Sequence, residues 1–253
     1  MSSASEVCSV PLDQGGANKS KIWRAFKAPR AGRAKRLLAA LQREDFATAR
    51  ELARPLADRG HVFAQLILGA ILAGGHGAPQ NCVEAAEWRR KAAEQGSPEA
   101  QTLLGVMYAK GEGVARNDAL AVKWFREAAE RDFAAAQSNL GLMHARGRGV
   151  AQSDAEAAKW FRRAADRGFV EAQAILGAMY VKGEGLAQNY ALAHMWFNLA
   201  AAKGDAGALA NRDQLARMMT PAQIAEAQRL AQEWKPRRQR GIACLAYARD
   251  ALS

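Results

Sequence analysis

The 253-residue sequence predicts an all-α fold, an α/α superhelical solenoid of antiparallel helix pairs, on three observations. Trp88, Trp124, Trp160 and Trp196 recur every 36 residues without drift. Gly69, Gly105, Gly141 and Gly177 keep the same step, as do Ala64-Gln65, Ala100-Gln101, Ala136-Gln137 and Ala172-Gln173. Between these markers, apolar residues fall at helical spacing and are interrupted once per period by a glycine-rich turn. Self-similarity at a fixed period of this size marks a stacked array, in which each unit buries its apolar face only against its neighbours.

Residues 1–18 are small and polar, with Pro11, Gly15 and Gly16, and are expected to be disordered. Residues 19–33 add basic charge around Ile22, Trp23 and Phe26. They read either as the rest of a basic leader spanning 1–33 or as an amphipathic segment for an anionic surface. Residues 34–59 predict a capping helix pair. One helix carries Leu37, Leu38 and Leu41; a second, from about Asp45 to Arg59, carries Phe46, Leu52 and Leu56 and contains Pro55. Proline there removes one backbone hydrogen bond and should bend the helix.

Residues 60–204 hold four copies of one unit. In the second, Ser97 caps a helix, Pro98 suits its first position, and Glu99 favours the positive end of its dipole. Leu103, Leu104, Met107 and Tyr108 follow on one face, and Lys110-Gly111-Glu112-Gly113 ends the helix with Gly111 at the left-handed position. Asn117 caps the second helix, as Asn81, Ser153 and Asn189 do in the other copies. That helix carries Val122, Trp124, Phe125, Ala128 and Ala129 and ends near Arg131-Asp132. Gly105 sits inside the first helix, where glycine costs about 1 kcal/mol against alanine. A cost repeated in every copy predicts close helix–helix approach, and the tryptophans are expected to fill the space between neighbouring pairs as core.

Units such as AQTLLGVMYAKGEGVARNDALAVKWFREAAERD resemble Sel-1-like repeats, the SLR family, relatives of the tetratricopeptide repeat. The first-helix Gly, the Gly-x-Gly turn, the Trp-aromatic pair and the Ala-Ala ending carry the resemblance together. Copy one departs at Gly74-Gly75-His76-Gly77 and at Arg89, and copy three has His144 where Tyr108 and Tyr180 stand. The resemblance implies a non-catalytic scaffold or adaptor for protein–protein contacts in a larger assembly.

After Gly204 the pattern decays, and Asp213 stands where the helix glycine would repeat. Thr220-Pro221-Ala222-Gln223 predicts a capped helix start, followed by the stripe Ile224, Ala227, Leu230 and Trp234. Residues 205–235 therefore form a C-terminal cap and 236–253 a basic tail.

The formal net charge of +11 resides at the two ends. Residues 19–43 hold nine Lys/Arg and residues 235–249 five more, neither stretch with an acid; elsewhere 22 basic residues face 25 acidic ones. The three cysteines, Cys8, Cys82 and Cys244, lie far apart, which argues for reduced thiols over a disulfide framework. No apolar stretch is long enough to span a bilayer, and no secretory leader is evident, so a cytoplasmic location is expected.

No catalytic constellation is found. There is no H-E-x-x-H, nucleophile elbow, P-loop or dinucleotide fingerprint. The Gly-x-Gly turns follow helices instead of strands, outside a phosphate-loop context. His76 and Cys82 are two candidate ligands where a structural zinc needs four, so no metal and no cofactor are expected.

By analogy with tetratricopeptide superhelices, the first helix of each unit should line a concave groove. Register arithmetic assigns that groove Phe63 and Leu66 in copy one and Thr102, Val106 and Lys110 in copy two. Ser138, Leu142 and Arg146 follow in copy three, and Lys182 in copy four. Lys110, Arg146 and Lys182 form a cationic row suited to an acidic-amphipathic segment of a protein partner. The same cations could instead satisfy carbonyls at their helix ends. The alternative function is nucleic-acid or anionic-surface binding through the basic ends, which would weaken steeply with salt.

Overall fold

The computed structural model describes residues 31–237, which form twelve α-helices and no strand. The expected leader over 1–30 and most of the expected tail lie outside these residues. In chain order the helices are α1 (Ala31–Gln42), α2 (Phe46–Ala57), α3 (Val62–Gly74), α4 (Cys82–Glu94), α5 (Pro98–Lys110) and α6 (Asp118–Glu130). They continue as α7 (Ala134–Arg146), α8 (Asp154–Asp166), α9 (Val170–Lys182), α10 (Tyr190–Ala201), α11 (Ala206–Ala216) and α12 (Pro221–Glu233). The described chain divides into two compact units, one ending at Glu127 and the other running from Ala128.

The first unit stacks α1 on α2, α2 on α3, α3 on α4 and α4 on α5. Its core joins Leu37, Leu41 and Leu56 of the leading pair to Ile67, Leu68, Ile71 and Trp88. Pro55 does lie inside α2, near its end. In the second unit α7, α8, α9 and α10 pack in succession, and α10 receives both α11 and α12. Its core runs through Phe161, Leu176, Met179, Trp196 and Phe197 to Leu215 and Ala227 of the last two helices.

The helix punctuation is local chemistry. The Asn81, Asn117, Ser153 and Asn189 side chains accept from the backbone N–H three residues on, at 2.9–3.2 Å. Thr220 and Gln223 complete a reciprocal capping box. Gly75, Gly111, Gly147 and Gly183 end the first helices in the left-handed conformation, with φ between 62° and 79°.

The second glycine of each turn has another task. A Cβ on Gly113 would lie 2.0 Å from the carbonyl oxygen of Cys82, and one on Gly185 2.1 Å from that of Asp154. The turn of one repeat thus rests on the start of the preceding repeat's second helix, at a separation only glycine permits.

Two interactions repeat with the period. A buried glutamine at the start of each first helix donates to a carbonyl near the end of the helix before it. The bonds are Gln65 to Ala57 (3.1 Å), Gln101 to Ala93 (3.2 Å), Gln137 to Ala129 (3.0 Å) and Gln173 to Ala165 (3.2 Å). Each ties one helix pair to the next, and the first reaches α2.

The helix glycines also have a definite neighbour. A Cβ on Gly105 would lie 2.6 Å from the Phe125 ring, one on Gly141 3.0 Å from Phe161, and one on Gly177 2.8 Å from Phe197. In copy one Arg89 takes that place, its Cγ 3.0 Å from the added carbon. The residue after each tryptophan therefore fills the close approach.

The tryptophans themselves are not a uniform core. Trp88 and Trp196 are buried, whereas Trp124 and Trp160 are partly exposed. Each partly exposed indole lies beside a cation, Lys123 at 5.3 Å and Arg163 at 4.6 Å from the ring centroid. The expectation that all four fill inter-pair space is corrected on this point, because the fully buried aromatics are Phe125, Phe161 and Phe197.

Candidate partner-binding surface

The residues that register assigns to the groove fall in both units. In the first, Phe63 is 9% and Leu66 1% exposed. Leu66 packs with Ala92, Ala93, Leu103 and Leu104, so it is core and not groove floor. Register arithmetic failed at Leu66 because the apolar stripe of α3 is wide enough to bury nearly the whole helix. Thr102 is also buried, and its hydroxyl donates to the Pro98 carbonyl at 2.7 Å, which uses it within the helix. Val106 is half-buried and Lys110 exposed.

In the second unit Ser138 is buried, Leu142 half-buried, and Arg146 and Lys182 exposed. Leu142, Ala145, Ala174 and Ala178 pack against the core yet remain partly open, with Arg146 and Lys182 at the ends of the same two helices.

The cations are not equivalent. Lys110 pairs with Glu112 and Lys182 with Glu184, both at 3.3 Å across the turn. Exposed pairs of this kind are worth at most about 1 kcal/mol, so a partner carboxylate can compete for either lysine. Copy three has Arg148 at the position of those glutamates, so its turn holds two arginines and no acid. Among the described residues no side-chain hydrogen bond runs from Lys110, Arg146 or Lys182 to a helix-end carbonyl.

At the start of α5 the Glu99 carboxylate is 5% exposed. It accepts from the Ser97 hydroxyl at 3.0 Å, and burial outweighs that bond to raise its pKa above the usual carboxylate range. Along the second helices, Arg90 donates to the Tyr108 hydroxyl at 3.2 Å, and Arg162 bonds Tyr180 with its guanidinium 5.5 Å from the ring centroid. The His76 ring meets that of Phe46 at a tilt of 41°, centroids 5.1 Å apart, and among the described residues no group of three or more His, Cys, Asp or Glu is placed to hold a metal. His194 is buried, and burial, with Arg212 nearby, lowers its pKa and favours the neutral ring. No described helix is long and apolar enough to cross a membrane.

One half-buried feature was not anticipated from the sequence. Asp132 adopts φ 65°, in series with Gly60, Gly96, Gly168 and Gly204, which all have positive φ. Its 36-residue alignment with those glycines was the available signal. Burial works against its charged form, but hydrogen bonds and charge from Arg167 and then Arg163 hold its pKa below the ordinary value.

The chain is similar in structure to a Sel1 repeat protein from Oxalobacter formigenes, with a TM-score of 0.65 and 28% identity over 78% of this chain and 84% of that one. It is also similar to c5321, described as a protective antigen of uropathogenic Escherichia coli strains displaying an SLR fold. There the TM-score is 0.50 and the identity 28%, over 92% of this chain and 57% of that one. No curated protein matches the chain. The Sel1 repeat family model matches residues 62–97, 98–133, 134–169 and 170–205. Those four units take up more than half of the sequence and coincide with the helix pairs α3–α4 to α9–α10, so the protein belongs to the Sel1 repeat family.

Proposed function

We propose that the protein is a non-catalytic adaptor that holds an extended, acidic-amphipathic segment of a partner protein along the first helices of its repeats. Sel1 repeats generally build protein–protein interaction scaffolds, which supplies the class of activity. The observation that carries the finer reading is the partly open row Leu142, Ala145, Ala174 and Ala178, flanked by exposed Arg146 and Lys182. Small side chains let a partner backbone approach, and helix-end cations select acidic residues beside it. Val106 and Lys110 offer the same pairing in the first unit.

The test is pull-down of partners by the full chain and by a Lys110→Glu/Arg146→Glu variant, with captured proteins identified by mass spectrometry. Reversing two cations at the rim is expected to reduce recovery of a specific partner at least tenfold, the effect of about 1.4 kcal/mol. Unchanged recovery removes the first-helix surface from the account.

A further inference from the structure

A cavity of about 400 Å³ opens between α1 and the end of α2, lined among the described residues by Gly32, Arg33, Arg36, Leu56 and Arg59. Its size falls within the roughly 300–1,000 Å³ of small-ligand sites. Three of those residues are arginines and none is acidic. Arg33 and Arg36 lie one turn apart on α1, and positions three residues apart on a helix face the same way. Arg59 follows α2 and reaches the same space, while Leu56, 4% exposed, supplies an apolar wall.

The cluster brings three arginines to the lining of one space. Some other cations of the same unit are paired, Arg54 with Glu84 at 2.5 Å and Lys110 with Glu112. Among the described residues the side chains of Arg33, Arg36 and Arg59 form no ion pair and no hydrogen bond. Like charges gathered at one space with no counter-ion among the described residues repel one another, so an anion bound there would stabilise the folded state.

We propose that this cavity is a binding site for a phosphate-bearing anion of the charge of a diphosphate. A single carboxylate would leave two of the three cations uncompensated. A diphosphate carries charge to match all three, and its oxygens suit the planar guanidinium fork, which binds phosphate through paired N–H donors. The site is separate from the first-helix surface of the repeats, so its success or failure is independent of the adaptor reading.

Titration of the full chain with inorganic diphosphate at physiological ionic strength, by calorimetry and by thermal unfolding, tests the site. Diphosphate is expected to bind and to raise the unfolding temperature. Arg33→Ala, Arg36→Ala and Arg59→Ala are each expected to weaken binding about tenfold or more, the scale of a lost charged hydrogen bond. Lys35→Ala, which removes an equal charge from the same helix outside the cavity lining, is expected to leave affinity within about twofold. Unfolding of each unliganded variant shows that the fold is kept, which is expected because these side chains make no hydrogen bond or ion pair among the described residues.

Sedimentation with phosphatidylcholine vesicles, with and without phosphatidic acid, identifies the source of the phosphate. Co-sedimentation that needs both phosphatidic acid and the three arginines assigns the site to a lipid headgroup. Binding of free diphosphate without co-sedimentation assigns it to a soluble ligand. Failure to bind either, or equal weakening by Lys35→Ala and Arg36→Ala, overturns the proposal.

Discussion

Asp132 shows how one substitution within a repeat is accommodated. Where the other copies use glycine, an aspartate holds the left-handed backbone, at a cost of about 1–2 kcal/mol for a residue with a Cβ. The return is a carboxylate shared by Arg163, at 3.3 Å, and Arg167, whose side chain is only 10% exposed. Removing the charge strands a nearly buried guanidinium, so Asp132→Asn is expected to lower stability by about 1–2 kcal/mol. Asp132→Ala is expected to lose roughly 1 kcal/mol more, because alanine tolerates the left-handed region less well than asparagine. Urea denaturation at neutral pH measures both. The ion pairs hold the folded carboxyl below its unfolded pKa. Their contribution is therefore complete above the unfolded carboxylate pKa and is lost as pH falls through the folded one. The gap between wild type and Asp132→Asn should close in that acid range; a gap independent of pH would exclude the charge as the cause.

At the scale of the turn, the two glycines of Gly-x-Gly do different work. Gly111 needs its left-handed φ of 79° to end α5, and a Cβ there would come no nearer than 3.2 Å to Arg116 Cβ, with the Arg116 backbone N at 3.5 Å. Gly113 combines φ 68° with the backbone of Cys82, 2.0 Å from the position of an added Cβ. At 3.2 Å the neighbour must give by a few tenths of an ångström, whereas at 2.0 Å the carbonyl of a helix start must move. Gly111→Ala is thus expected to cost about 1–2 kcal/mol and Gly113→Ala about 3 kcal/mol or more, since strain and overlap add. Equal losses in thermal denaturation would mean that the turns do not brace the preceding repeat.

Much of this element-level pattern was legible in the sequence. Asn81, Asn117, Ser153 and Asn189 cap as their type and position dictate, and Thr220-Pro221 opens a capped helix. These are contacts within a few residues, which spacing can specify. Contacts between helices were harder to read. The period showed that Gly105 must face something close, but spacing alone does not tell whether Trp124 or Phe125 reaches it. The structure answers with Phe125. The buried glutamine bond is invisible for the same reason, since an Ala-Gln pair looks like an ordinary polar position. Leu66 and Thr102 were misplaced because rotating one helix in isolation assumes a single buried side, and these helices are covered on more than one.

For the whole molecule, the repeat chemistry implies that stability is built from neighbour interfaces instead of one shared core. The C-terminal cap is a light contributor. Helix α11 buries Ala208 and Leu215, and α12 buries Ala227, while α10 beneath them contributes Ala193, Met195, Trp196, Phe197 and Ala200. Trp234 adds an edge-on contact with Trp196 at 6.1 Å, and the Arg237 backbone N–H returns to the Asp166 carbonyl at 2.7 Å. A chain ending at Gly204 would lose these covers but none of the glutamine bonds or glycine–phenylalanine contacts that join the repeats. It is therefore expected to keep its helical signal per residue in far-ultraviolet dichroism. Its denaturation midpoint should fall by several degrees, and its urea m-value should drop with the surface no longer buried on folding. Collapse of the helical signal on this truncation would show that the repeats depend on a global core, and the nearest-neighbour account would fail with it.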